Sequence, residues 1–137
     1  MAEAVRRSGA WVVCRIGCTE CCMGPFPIGE ADAARLRRGM AEIDPARATA
    51  IRERAARPQG DDDPCPALHP ETSACELYAW RPVTCRTFGP AVRGASGAIG
   101  ACELCYQGAT DEEIAACAVD LDLGEEEGDL TVATALR

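Results

Sequence analysis

The segment CRIGCTECC, residues 14 to 22, sets Cys14, Cys18, Cys21 and Cys22 in a C-x3-C-x2-C-C run, and six more cysteines follow at Cys65, Cys75, Cys85, Cys102, Cys105 and Cys117. Two or three intervening residues let the backbone turn and aim successive sulfurs inward, which is the spacing of thiolate ligands for zinc or iron. A disulfide framework and an activated catalytic thiol are the competing uses of clustered cysteine. Side chains of neighbouring residues point apart, so Cys21 and Cys22 are poor equivalent ligands of one ion. The vicinal pair therefore implies two centres or one larger cluster. Further along, CELC adds Cys102 and Cys105 at C-x2-C spacing.

Other residues can tune such a centre. Arg81 and Arg86 bracket Cys85. A four-thiolate centre is anionic, and guanidinium groups beside it reduce that charge, donate hydrogen bonds to sulfur and raise a reduction potential. The alternative for both arginines is a surface ion pair with the abundant acids. His69 is the only histidine and lies four residues after Cys65; cysteines already outnumber the ligand positions, so it is not expected to ligate. Cys117 shares a helical face with Ile114 and reads as a small buried hydrophobe. All six aromatics, Trp11, Phe26, Tyr78, Trp80, Phe88 and Tyr106, lie within five residues of a cysteine. They are either an apolar shell around a centre or the only core a small domain has. General acid-base catalysis has no evident apparatus here, so an enzyme would need an open metal position.

The elements that must position these residues are short. At 137 residues a single domain is expected over 1–137, with its motif core at 14–105 and an acidic C-terminal region at 111–137. Apolar residues reach 47%, but many are Ala and Cys, so the ordinary core is thin and a metal staple is expected to offset chain entropy. The sequence predicts a small, metal-stabilised, mostly α domain with short helices, long irregular Cys/Pro/Gly-rich loops and little or no sheet. WVV, residues 11–13, is read as a short strand. MGPFPIG is read as irregular because of its prolines and glycines. Leu36, Met40 and Ile43 fall at helical spacing and predict a helix over 30–43. Asp44 as N-cap, Pro45 at the first position and Pro58 beyond the end predict a second helix over 45–57. Thr110 and Glu113 form a capping box for a third, with Ile114, Cys117, Ala118 and Leu121 on its inner face and Gly124 closing it. Loops and turns with at most short helical turns are expected over 58–109, and the last stretch is either frayed or a short docked element.

Charge and flanks narrow the function classes. Net charge is -8, and all 14 basic residues are arginine. Seven arginines lie in 35–57, where helical periodicity makes them a solvated helix face, and an acidic chain is not expected to bind nucleic acid. The apolar run near the N-terminus is interrupted by Cys14, Arg15 and Cys18 before a signal-peptide core forms. No membrane span is expected either. A cytoplasmic protein with reduced thiols follows, and clustered cysteines in that compartment point to metal.

Together with CRIGCTECC, the segment CPALHPETSACELYAWRPVTCRTF, residues 65–88, resembles the YkgJ-like cysteine-cluster family, the CxxCxxCC zinc- or iron-chelating domain. The shared elements are the run Cys14, Cys18, Cys21, Cys22; then Cys65, Pro66 and Leu68; then Cys75 and Tyr78; then Arg81, Pro82, Cys85 and Arg86. The resemblance implies seven ligands, Cys14, Cys18, Cys21, Cys22, Cys65, Cys75 and Cys85, with Cys102 and Cys105 outside the matched motif able to complete two four-cysteine centres. It implies a metallocentre more strongly than a reaction. An iron-sulfur cluster, [4Fe-4S], is favoured over zinc, in an electron-transfer or accessory role beside a redox or client protein. A structural zinc-binding interaction module and a metal-dependent enzyme with an open site are the alternatives.

Overall fold

The computed structural model describes residues 2–121 and 130–137. In chain order its elements are α1 (Ala2–Ser8), β1 (Pro27–Ile28), α2 (Glu30–Glu42), α3 (Pro45–Ala55), α4 (Val83–Thr87), β2 (Val92–Arg93), β3 (Ile99–Gly100), α5 (Asp111–Cys117), β4 (Val119–Asp120), β5 (Leu130–Thr131) and α6 (Val132–Leu136). Single 3-10 turns occupy Gly9–Trp11, Glu20–Cys22 and Tyr78–Trp80. Two compact units each carry a core of their own. Of the described residues, 16–85 and 130–137 form the larger unit, and 2–15 and 86–121 the smaller.

Helix α2 starts with Glu30 and Asp32 in its first turn, where carboxylates meet the positive end of the helix dipole. Its buried face is Ala33, Leu36, Gly39 and Met40. Asp44 caps α3 by accepting from the Ala46 and Arg47 amides at 3.0 and 3.1 Å, with Pro45 as the first helical residue. Both helices pack with α6, which buries Val132, Ala133, Ala135 and Leu136. Leu36, Ile51, Leu77 and Leu136 are all but sealed from solvent, and each such burial contributes about 1.5–3 kcal/mol. The docked α6 thus decides between the two expectations for the last stretch.

Three local expectations need correction. Trp11 ends a 3-10 turn closed by the Val12 amide on the Gly9 carbonyl at 3.3 Å, so 11–13 is not a strand. Within MGPFPIG, Pro27 and Ile28 do form a strand, pairing antiparallel with Thr131 and Leu130; a proline is tolerated at the first residue of a two-stranded edge. Helix α5 keeps its Thr110/Glu113 capping box but stops at Cys117. Ala118 turns extended, and Val119 and Asp120 pair in parallel with Val92 and Arg93. Backbone pairing thereby overrides the helical period that placed Ala118 and Leu121 on one helix face. Gly124 lies outside the described residues.

The smaller unit joins that β3-β2-β4 sheet to α1 and α5. Its core is Ala91, Cys105, Tyr106, Cys117 and Ala118, with Trp11, Cys102 and Ile114 packed on it. Short helices therefore dominate, as expected, beside two small sheets. Within 58–109, α4 is a short helical turn of the kind expected, whereas β2 and β3 add strand pairing to a segment read as loops and turns.

Candidate metal-binding site

Six cysteines lie in the larger unit: Cys18, Cys21, Cys22, Cys65, Cys75 and Cys85. Cys21 and Cys22 ride on the turn Glu20–Cys22, closed by the Cys22 amide on Thr19 at 2.7 Å. The chain then zips onto 63–65. Gly24 donates to Asp63 at 2.8 Å, Cys65 donates to Cys22 at 2.7 Å, and Met23 bridges Pro64. Only glycine suits position 24, where φ is +94° and an added Cβ would stand 3.1 Å from the Asp61 carbonyl oxygen.

Cys65 and Cys75 are joined by a tight reversal. Leu68 bridges Cys75, the Glu76 amide donates to the Ala67 carbonyl at 2.8 Å, and the His69 amide donates to the Ala74 carbonyl at 2.9 Å. The His69 ring is spent on this turn, its Nδ1 accepting the Glu71 and Thr72 amides at 3.3 Å each. Arg54 holds both arms of the reversal to α3, donating to the Pro66 carbonyl at 2.8 Å and to Glu76. The Glu76 carboxylate is 4% exposed and also meets Arg47 at 3.2 Å. Cys85 sits on α4, whose Val83 amide is capped by Asp32 of α2 at 2.9 Å.

These thiols feel one another. Cys22 donates to the Cys21 sulfur and, helped by the Arg81 charge, brings Cys21 down to about 6, while Cys22 itself is held high by that bond, by burial and by Cys65 and Cys85. Burial first and then Cys75 push Cys65 up to about 11. Cys75 is raised by burial against the pull of Arg81. Cys85 is pushed up to about 12 by burial, then by Cys65, Cys75 and Cys21. Arg81 is the one cation acting on Cys21, Cys75 and Cys85 alike; it donates to the Tyr78 carbonyl at 3.1 Å and lies 3.6 Å above the Tyr78 ring. Arg86 falls on α4 at the start of the smaller unit.

The smaller unit gathers Cys14, Cys102, Cys105 and Cys117. The Cys14 and Cys105 sulfurs are 3.7 Å apart. Cys102 and Cys105 lie on one turn, with the Cys105 amide on the Cys102 carbonyl at 2.9 Å, and the Cys102 thiol is raised by burial and by Cys105. Tyr106 anchors the turn: its hydroxyl accepts from the Ala91 amide at 2.7 Å and bonds Ser8 at 2.6 Å, and its ring stacks on Trp11. Cys117 is buried with Ile114 beside it. The sequence run thus parts between Cys14 and Cys18, which belong to different units.

Donor chemistry fits a soft or borderline cation. Glu20 and Glu76 add negative charge beside Cys21 and Cys75, but thiols dominate the set, and Cys22, Cys65 and Cys85 are each raised by neighbouring thiols; such a donor set suits zinc or iron and not calcium or magnesium. As the side chains are oriented, no three His, Cys, Asp or Glu among the described residues surround a common metal position. Each cysteine has a single χ1 through which its sulfur can swing.

Residues that build the site escaped sequence reasoning. Arg54 and Asp32 act from α3 and α2, distant in sequence from the cysteines they support, and only the adjacency of Glu76 to Cys75 offered a hint. The arginine-rich stretch is correspondingly not all solvated, since Arg54 is 22% exposed. Of the aromatics, Phe26 and Trp80 pack on the larger core and Trp11 and Tyr106 on the smaller, whereas Tyr78 and Phe88 are 61% and 49% exposed.

The CxxCxxCC family, described as a putative zinc- or iron-chelating domain, matches residues 13–117. Comparison with curated proteins and with solved structures finds no match.

Proposed function

Because this chain belongs to the CxxCxxCC family of zinc- or iron-chelating domains, we propose that it carries iron-sulfur centres, [4Fe-4S] in the first instance, and serves as a cytoplasmic electron-transfer or accessory protein for a protein partner. The observation that carries this reading is the gathering of Cys18, Cys21, Cys22, Cys65, Cys75 and Cys85 in one compact unit, where the Cys65 amide bonds the Cys22 carbonyl at 2.7 Å and Cys75 faces Leu68 across the reversal from Cys65. They supply six sulfurs to a first centre, and Cys14, Cys102 and Cys105 supply three to a second. A bound cluster would contribute one-electron chemistry. The chain's own residues contribute the rest. Arg81 offsets the negative charge of deprotonated sulfurs, Arg54 and Glu76 fix the Cys65 and Cys75 arms, and Asp32 fixes the helix bearing Cys85. Ten thiols at this spacing suit a reducing compartment. No helix among the described residues is long and apolar enough to cross a membrane.

Anaerobic purification followed by iron, sulfide and zinc analysis tests the reading. It expects a brown protein with bound iron and sulfide whose visible absorbance bleaches under dithionite. Zinc without iron or sulfide defeats it. That result would leave a structural zinc module, which the packing of Cys65 and Cys75 against the larger core favours. A structural metal there belongs to the fold, so chelation would unfold the unit.

A further inference from the structure

Cys14 and Cys105 stand apart from the rest of the thiols in how they meet. They are 91 residues apart in sequence, yet their sulfurs touch at 3.7 Å. Gly89 makes room for the contact: an added Cβ there would lie 3.1 Å from the Cys14 sulfur, and its φ of +116° excludes other residues without strain. Gly89 also accepts the Cys102 amide at 3.2 Å, which holds the Cys102–Cys105 turn against the same spot. Exposure is unequal. Cys14 is exposed outside any helix or strand, whereas Cys105 is 2% exposed in the core that holds Tyr106. An exposed sulfur in contact with a buried one is the arrangement of an attacking thiol and a resolving thiol. The sulfurs need to close by less than about 2 Å to reach the ~2.05 Å of a disulfide.

We propose that Cys14 and Cys105 form a reversible dithiol/disulfide pair that takes electrons out of the smaller unit's thiol set and withdraws two of its three donors. The oxidant is a low-molecular-weight disulfide such as oxidised glutathione. The Cys14 thiolate attacks one of its sulfurs, its S–S bond breaks, and one glutathione thiol leaves with a mixed disulfide on Cys14. Cys105 then attacks the Cys14 sulfur, and the second glutathione thiol leaves. Two electrons pass from the pair to glutathione, and the two thiol protons end on the two departing thiols. The oxidation itself needs no metal. Its effect as a gate on metal retention rests on the proposed ligand role of Cys14, Cys102 and Cys105, since Cys102 alone cannot hold an ion in that unit.

The sequence makes the test direct. Trypsin releases Cys14 on residues 8–15 and leaves Cys102, Cys105 and Cys117 together on 94–137; a glutamate-specific protease then cuts after Glu103 and Glu113, separating all three. The full chain, as purified, is incubated with oxidised glutathione, its remaining thiols are alkylated, and the double digest is read by mass spectrometry beside metal content before and after. The expected product joins 8–15 to the fragment that begins at Leu104, is reversed by reduced glutathione, and accompanies loss of metal. No cross-link, or one that joins 8–15 to the fragments bearing Cys102 or Cys117, overturns the pair. A cross-link with full metal retention overturns the gate. A chain that carries no metal from the outset yet forms the Cys14–Cys105 bond defeats the metal reading and supports the pair.

Discussion

Gly39→Ala tests how the larger unit holds its thiol-bearing loops. Gly39 is buried on α2, and a Cβ added there would stand 2.6 Å from Cγ, 2.7 Å from Cδ2 and 2.9 Å from Cβ of Trp80. Two effects oppose each other. Alanine in a helix interior gains about 0.8–1 kcal/mol over glycine. Overpacking costs about 1–3 kcal/mol, and here the upper end applies, because carbon atoms normally rest about 3.5–4.0 Å apart. The near end of the Trp80 side chain cannot swing clear without moving its backbone. The net loss is then about 2 kcal/mol, roughly a 1 M drop in urea midpoint for an m-value near 2 kcal/mol/M. Trp80 lies in the turn just before Arg81 and α4, so the same substitution is expected to lower metal retention. Urea unfolding followed by circular dichroism, at matched metal content and under reducing conditions, reads the first effect. Adding Trp80→Ala removes two of the three close atoms, and the double variant is expected to lose less than the sum of the singles. A Gly39→Ala protein as stable as the parent would show that the helix and the Trp80 turn are not in rigid contact, and the reasoning would fail.

Three further outcomes are expected. Glu76→Gln removes the charge that Arg54 and Arg47 share and is expected to destabilise by about 1–3 kcal/mol, less than a fully buried pair because both arginines are partly exposed; unchanged thermal unfolding would count against its clamp role. Asp44→Ala strips the cap from the Ala46 and Arg47 amides and should cost about 1 kcal/mol in thermal unfolding, without changing which thiols react fastest. For the metal-free chain, Cys65 and Cys85 titrate at about 11 and about 12 when folded against an ordinary thiol value of 9.0. Their folded pKa values lie above the unfolded one, so this stability is complete below pH 9.0 and is lost as pH rises through 11 and 12. Urea midpoints that hold steady from pH 8 to 11 would refute the burial of these thiols.

Local signals were legible where the chemistry is local. Asp44 with Pro45, and Thr110 with Glu113, declare their helices because a side chain three residues or fewer away satisfies the orphan amides. Leu36 and Met40 declare the face of α2 by period alone. The end of α5 was not legible, because Val119 leaves the helix to pair with Val92, a partner 27 residues upstream that no periodicity reports. The site shows the same division. The positions of the cysteines are visible in the sequence, whereas their partition between the two units is not: Cys14 is four residues from Cys18 but meets Cys105. Nor could the arginines of α3 be sorted, since only the fold shows that Arg54 faces a sealed carboxylate.

The segment 130–137 completes the larger unit, whose other residues end at 85, so the whole of 86–121 is made in between. A ribosome adding ~5–20 residues per second takes roughly 3–10 seconds to travel from Cys85 to the end of α6. Through that interval β1 lacks its partner β5, and α2 and α3 lack the helix they share. The six thiols of that unit therefore emerge well before the lattice of contacts that orders them. Chain order thus leaves these thiols without their ordering contacts until α6 is made.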